Sequence, residues 1–314
     1  MKSRSWSRLL CLLTLLWLVP PALAEETRLL RHPDVSETQI VFAYGGDLWI
    51  VGRDGGEARR LTSFPGVETF PRFSPDGKRV AFSGQYDGNI DAFVVPIDGG
   101  EPTRLTWHPG ADMVREWTPD GRRVVFASGR TGAPVGYSRW WTVSTEGGFP
   151  EPMPMPRAWR GSFSPDGKRL AYEPIQSFET EWRNYRGGQN KPIWILDLDD
   201  LSLDKLPWEG TNDSDPAWIG DTIYFLSDRD YAVNVWSYDA GSEELSQLTG
   251  FKDFDAKHMQ SGAGVLVFEQ AGFIHLLDPA EGRARKIEIT VRGDFPWTRP
   301  HWEDVSTMVR DAGP

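Results

Sequence analysis

The sequence predicts an all-β fold, a six-bladed β-propeller of four-stranded antiparallel blades, and three observations carry the prediction. First, the phrase Phe73-Ser74-Pro75-Asp76-Gly77-Lys78-Arg79-Val80-Ala81-Phe82 recurs over Trp117–Phe126 and over Phe163–Tyr172, each time with a Ser/Thr-Pro-Asp-Gly turn at its centre. Degenerate copies end at Phe42, Phe225 and Phe268, which makes six. Second, the closing aromatics at 42, 82, 126, 172, 225 and 268 lie 40 to 53 residues apart, the length of one propeller blade. Third, 32 Gly and 24 Pro in 314 residues suit many short strands joined by tight turns, not a helical bundle.

The elements follow in chain order. Lys2, Arg4 and Arg8 precede an apolar run from Leu9 to Val19, and Pro20-Pro21-Ala22-Leu23-Ala24 ends in a small-x-small site. That is the pattern of a secretory signal peptide over residues 1–24, cut after Ala24; a retained anchor is the alternative, although the run is shorter than the roughly twenty residues a bilayer span needs. Cleavage would remove three basic charges and Cys11, the single cysteine, and leave an exported chain without thiol chemistry, periplasmic or extracellular, with no stable membrane span. The propeller is assigned to residues 25–293, starting with Arg28–Arg31 as the first inner strand. In the second blade the four strands are Thr69–Phe73, Arg79–Ser83, Ala92–Ile97 and Thr103–Thr106. In Ser-Pro-Asp-Gly, Pro presets φ and Gly accepts a positive one. The third strands carry large aromatics, Trp49, Phe93, Trp140, Trp141, Trp194 and Trp236, which suit packing between blades. The last outer strand is read as Ala284–Ile289. No strand is then left over to close the ring by exchange of termini, so open, non-Velcro closure by packing of the first blade on the last is expected. Residues 294–314 show no sustained periodicity and are expected to be poorly packed, a linker toward a second propeller.

Strand alternation sorts the loops. The short Ser-Pro-Asp-Gly and Asp-Gly-Gly-Glu turns share one end of the disc and are too short to build a pocket. The irregular segments share the other: 62–67, 85–91, 106–114, 129–137, 173–191, 227–233 and 249–255. Binding sites concentrate on such variable loops. The longest contains Trp182, Arg183, Tyr185 and Arg186, and Arg130 and Arg229 begin equivalent loops in other blades. Guanidinium groups flanking aromatics can clamp carboxylates or peptide termini; alternatively the aromatics pin the loop and the arginines solvate it or pair within it.

Exclusions come from charge and from missing motifs. With 45 acidic against 34 basic residues and a net charge of −11, the chain lacks the basic face a nucleic-acid binder needs. There is no Gly-x-Ser-x-Gly elbow, no His-Glu-x-x-His helix and no Ser-x-x-Lys dyad. The five histidines are scattered, and Asp197, Asp199, Asp200 and Asp204 lack the glycine and terminal Glu of a calcium loop. No catalytic residue, metal or cofactor is expected.

Over residues 27–300 the chain resembles the N-terminal six-bladed propeller of the tricorn protease family. The resemblance is carried by Ile40–Trp49, Arg59-Arg60-Leu61-Thr62, Ser83–Asn89, Trp182–Gly188 and Ile223–Arg229. It implies a ring followed by a seven-bladed propeller, a PDZ domain and catalytic domains with a serine-protease site, assembled as a hexamer. The six-bladed ring would be a non-catalytic channel. The sequence stops at Pro314, just after Arg299–Val305, where the second propeller would start, and no position matches the family's catalytic residues. The leading expectation is therefore a propeller module of an exported tricorn-like protease, inactive alone, that binds or channels peptides for a catalytic domain or subunit and can form homo-oligomers. Two alternatives are a stand-alone periplasmic binding propeller similar to TolB and the propeller cap of a prolyl-oligopeptidase-like hydrolase.

Overall fold

The computed structural model describes residues 26–131, 137–176, 183–295, 300, 302, 304 and 305, so the expected leader over 1–24 and Trp182 lie outside the described residues. Six blades of four antiparallel strands form the ring, and a fifth strand adds to the first. Blade 1 holds β1 (Arg31–Val35), β2 (Gln39–Tyr44), β3 (Asp47–Gly52) and β4 (Gly56–Arg60). Blade 2 holds β5 (Glu68–Phe73), β6 (Arg79–Gly84), β7 (Asp91–Pro96) and β8 (Thr103–Arg104). Blade 3 holds β9 (Asp112–Trp117), β10 (Arg123–Ser128), β11 (Arg139–Ser144) and β12 (Glu151–Pro152). Blade 4 holds β13 (Gly161–Phe163), β14 (Arg169–Tyr172), β15 (Trp194–Asp197) and β16 (Leu203–Lys205). Blade 5 holds β17 (Asp213–Ile219), β18 (Thr222–Asp230), β19 (Ala232–Asp239) and β20 (Leu245–Gln247), and blade 6 holds β21 (Ala256–Gly262), β22 (Val265–Gln270), β23 (Phe273–Asp278) and β24 (Arg283–Lys286).

The recurring phrase works through its turn. Ser74 Oγ donates to Asp76 Oδ1 at 2.6 Å and accepts from the Arg79 N–H at 3.0 Å, while Gly77, at φ +67°, turns the chain back. The same bonds recur at Thr118, Asp120 and Arg123 and at Ser164, Asp166 and Arg169. The second strands are buried on both faces, as strands between two neighbouring blades must be, and the phrase's closing aromatics Phe42, Phe82, Phe126, Phe225 and Phe268 are fully enclosed. A second device sits at the end of the outer strands. Thr62, Thr106 and Thr249 each accept a hydrogen bond from the N–H of a third-strand residue, Leu48, Ala92 and Val235, at 2.9 to 3.0 Å.

Three boundaries differ from the sequence reading. The first inner strand is Arg31–Val35, not Arg28–Arg31, because the N–H groups of Leu29 and Leu30 bond the Gly272 carbonyl in blade 6 instead of pairing with β2. The last outer strand stops at Lys286, and a further strand, β25 (Ile289–Val291), crosses the seam and pairs in parallel with β4. Each four-stranded blade still comes from one contiguous stretch, but a strand is left over after all, and it ties the chain's last blade to its first. Glu288 makes the break: its carbonyl accepts from Gly56 N–H, and a Cβ on Gly55 would stand 2.4 Å from that oxygen. Finally, residues just past 293 are docked. Phe295 sits edge-on to Tyr44 at 5.4 Å and beside Trp49 at 5.9 Å, and Arg60 donates to the Asp294 carbonyl.

Candidate functional site

The inner strands line the axis of the ring, and their irregularities shape it. Pairing registers slip in β1 between Arg31 and Asp34, in β5 between Thr69 and Arg72, in β9 between Val114 and Glu116, in β17 between Ser214 and Ala217, and in β21 between Lys257 and Gln260. At four of these bulges a non-glycine residue takes a left-handed backbone: His32, Phe70, Asp215 and His258, at φ +49° to +52°. Such conformations are rare and cluster where a side chain must be re-aimed. The re-aimed side chains meet one another. His32 lies 4.1 Å from Phe70 and 4.5 Å from His258 between ring centroids, Arg115 stacks 4.7 Å from Phe70 and 3.9 Å from Trp159, and Arg160 pairs with Asp215. The result is a throat of side chains drawn from every blade.

On the side of the irregular loops, the throat opens into a cavity of about 600 Å³ lined by Arg31, His32, Arg160, Glu173, Tyr185, Asn190, Lys191, Asp215, Asp228 and His258, among others. This is the end where loop variability places a site. The opposite end also holds a cavity, about 660 Å³, bounded by Asp34, Glu116, Arg53 and the turns at Ser36–Thr38, Ser74–Gly77 and Ser261–Ala263. The expectation that short turns leave that end without a pocket does not hold, because the open axis of the ring, not the turns, supplies the space.

The charges around the axis are strongly perturbed. Burial pushes the Asp34 carboxyl up to about 6, against the pull of Arg72, and the Glu116 carboxyl up to about 7. Burial also raises Glu173, opposed by Lys191 at 3.7 Å. Burial, with the positive fields of His258, Arg160, Arg72 and Arg115, holds His32 well below its ordinary value. Glu269 goes the other way: burial works to raise it, but bonds from His258 Nδ1 at 2.7 Å, the His32 N–H at 2.6 Å and Arg31 Nη1 at 3.0 Å keep it below the usual range.

The candidate residues from the sequence fall into two groups. Tyr185 lines the 600 Å³ cavity, and Arg130 lines a third cavity beside the throat. The arginines are already paired: Arg130 with Asp112, Arg229 with Asp213 at 2.8 Å, Arg183 with Asp255 at 2.9 Å and Arg186 with Asp228 at 2.9 Å. Arg130 and Arg229 also lie over the rings of Phe126 and Phe225, so they brace their blades from above. The segment 227–233 is not an irregular loop but a tight turn between β18 and β19, made by Tyr231 at φ +68°. Sequence reasoning missed His32, Arg115, Arg160 and Asp215.

Asp228 is the anchor of the long loop. Its carboxylate, 1% exposed on the side chain, accepts from the Asn184 N–H at 3.0 Å, Arg186 Nη1 at 2.9 Å, and both the N–H and Nδ2 of Asn212 at 2.9 and 2.6 Å. Replacing it by Ala strips four bonds, two of them to buried or half-buried backbone, so Asp228→Ala is expected to free the loop. Limited trypsinolysis should then cut after Arg183 or Arg186 on the order of ten times faster than in the wild type; equal rates would show that Asp228 does not hold the loop.

Fold and site together define a six-bladed propeller with a narrowed, charged axial channel. The chain belongs to the tricorn protease family: the family model for the tricorn protease N-terminal beta propeller domain matches residues 27–283. Among curated relatives, it is 25% identical to a tricorn protease homolog of Saccharolobus solfataricus over 292 residues, 90% of this chain and 26% of that one. A shorter stretch of 52 residues is 35% identical to a chain described as a tricorn-like protease N-terminal subunit, from Sulfurisphaera tokodaii, 17% of this chain and 27% of that one. Among solved structures, the crystal structure of the tricorn protease superposes with a TM-score of 0.76 at 26% identity, over 85% of this chain and 27% of that chain. The chain thus spans about a quarter of the length of the full-length relatives it matches.

Proposed function

We propose that this chain is the propeller module of an exported tricorn-like serine protease, non-catalytic in itself, which binds peptides at the loop-side cavity and passes them to or from a catalytic part. The observation that carries the reading is the 600 Å³ cavity above the throat, in which Tyr185 and Asn190 stand among charges of both signs, in a chain of the tricorn family. Peptides present both charges and repeated amides, and a pocket with fixed carboxylates, guanidiniums and amides suits them. The relative described as an N-terminal subunit supports a separately encoded catalytic partner. Export is part of the proposal and rests on residues 1–24; N-terminal sequencing of the protein from the periplasmic fraction should begin at Glu25.

Titration of the purified chain with fluorescein-labelled short peptides tests the binding step. Saturable binding is expected, and Ser214→Trp, which fills the cavity from its wall, should weaken it on the order of tenfold or more. Binding that is absent, or indifferent to the filled cavity, would refute the reading.

A further inference from the structure

Between blades 2, 3 and 4 the throat contains a buried cation, Arg115, that makes no ion pair among the described residues. Arg115 is 2% exposed, and its guanidinium carbon lies over the ring of Phe70 at 4.7 Å and over that of Trp159 at 3.9 Å. Its edges are poorly served. Nη1 reaches the Val114 carbonyl at 3.5 Å, Nη2 reaches Met113 Sδ at 3.7 Å, and Nε has no partner among the described residues. The carboxylates whose fields reach it, Glu173 and Asp215, are held by Lys191 and Arg160. Arg72, the neighbouring guanidinium, donates to the Arg115 and Pro71 carbonyls, so it adds positive charge and, among the described residues, brings no hydrogen-bonded carboxylate.

A desolvated guanidinium with unfilled N–H groups is costly, and proteins pair such groups or reserve them for a ligand. The N–H edge is thus the under-bonded part of the group, and such an edge matches a carboxylate in its own plane. Phe70, Met113 and Trp159 also line a cavity of about 550 Å³ on the loop side, so the groups packed around Arg115 are within reach of an incoming molecule.

We infer that Arg115 is the anchor of a carboxylate-binding site at the throat, taking either a free carboxylic acid or the C-terminal carboxylate of a peptide. The second source rests on the peptide-binding reading above; the first does not. Trp159 and Phe70 act as the walls that hold the guanidinium plane, and Arg72 and Arg160 supply a field that favours an anion over an ammonium group. A peptide would therefore enter carboxyl end first.

The test uses the full chain in Tris buffer free of carboxylates, with calorimetric titration of acetate and of one short peptide in free-acid and C-terminally amidated forms. The free acid should bind on the order of tenfold or more tighter than the amide, the scale of a charge-assisted hydrogen bond. Arg115→Met, close in volume but uncharged, should erase that preference while melting no lower than the wild type, because it removes an unpaired buried charge; a purely structural cation–π pillar would instead lose stability. Should Arg115→Met fail to fold, Arg115→Lys serves, and a retained but weakened acetate-induced rise in melting temperature is expected. Equal affinity for both peptide forms overturns the carboxylate site and leaves peptide binding standing. Acetate binding that depends on Arg115, with neither peptide bound, sustains the site and overturns the peptide reading. Acetate binding unchanged in either variant overturns the assignment to Arg115.

Discussion

Trp140→Ala should cost about 3–5 kcal/mol of folding stability, the range for deleting a large buried aromatic. Trp140 is fully enclosed, and its Nε1 donates to the Trp159 carbonyl across the gap between blades 3 and 4 at 3.0 Å. It packs in one cluster with Val125, Met153, Met155, Leu170 and Tyr172, residues of both blades. Gly161 leaves room for it: a Cβ there would lie 3.0 Å from the indole edge. Truncation therefore opens a cavity at a blade interface and strands a buried carbonyl at once. Trp159 forms one wall of the throat, so the loss should propagate to the axis. Urea unfolding followed by tryptophan fluorescence measures the effect, and Trp107→Ala is the control, since Trp107 is 62% exposed and should change stability by less than about 0.5 kcal/mol. A loss below about 1 kcal/mol for Trp140 would mean that it is not what holds blades 3 and 4 together.

The ring is legible in the sequence because its turns are local, and the throat is not because it depends on contacts between strands. The Ser-Pro-Asp-Gly phrase is local: its hydroxyl, carboxylate and glycine satisfy one another within six residues, so the turn and the two strands flanking it are legible from residue types alone. The third-strand aromatics are legible for the same kind of reason, because burial between blades demands them. The throat depends on bulges, which are set by register between strands and by which side chain must face the axis. A signal was present even so: Pro33, Pro71 and Pro216 follow His32, Phe70 and Asp215, and a proline inside a strand cannot donate to the ladder and marks a bulge or an edge. The end of the last outer strand was not legible at Ile287-Glu288-Ile289, whose apolar alternation reads as one strand continuing, whereas the chain changes partner at Glu288. The pairing of Arg130 and Arg229 was not legible, because Asp112 and Asp213 lie on inner strands 18 and 16 residues upstream and only the blade geometry brings each pair together.

Stability should fall as pH rises from 5 to 8, by on the order of 3 kcal/mol from Glu68 alone. Glu68 is fully buried, accepts a hydrogen bond from the Thr62 hydroxyl at 3.0 Å, and has the Tyr86 hydroxyl beside it as a second donor. Burial pushes its carboxyl up to about 8 from an ordinary value of 4.5, and the nearby Asp47 adds to the rise. Between those two values the folded chain keeps a proton that the unfolded chain has lost, so the folded state is favoured at the acid end of the window and loses that advantage as pH climbs through it. Asp34 and Glu116, raised to about 6 and about 7, steepen the fall in the same sense. His32 acts oppositely. Its folded value lies below 6.5, so acidification below that point favours the unfolded chain, which takes up the proton more readily. Three raised carboxylates outweigh one lowered histidine between pH 5 and 6, so His32 only makes the fall shallower there. Glu68→Gln keeps an acceptor for the Thr62 hydroxyl and removes the titration, so it should flatten most of the alkaline slope and raise stability at pH 8 while leaving pH 5 nearly unchanged. Urea midpoints measured from pH 4 to 9 for both proteins decide the matter, and an unaltered slope in Glu68→Gln would show that Glu68 does not carry the proton.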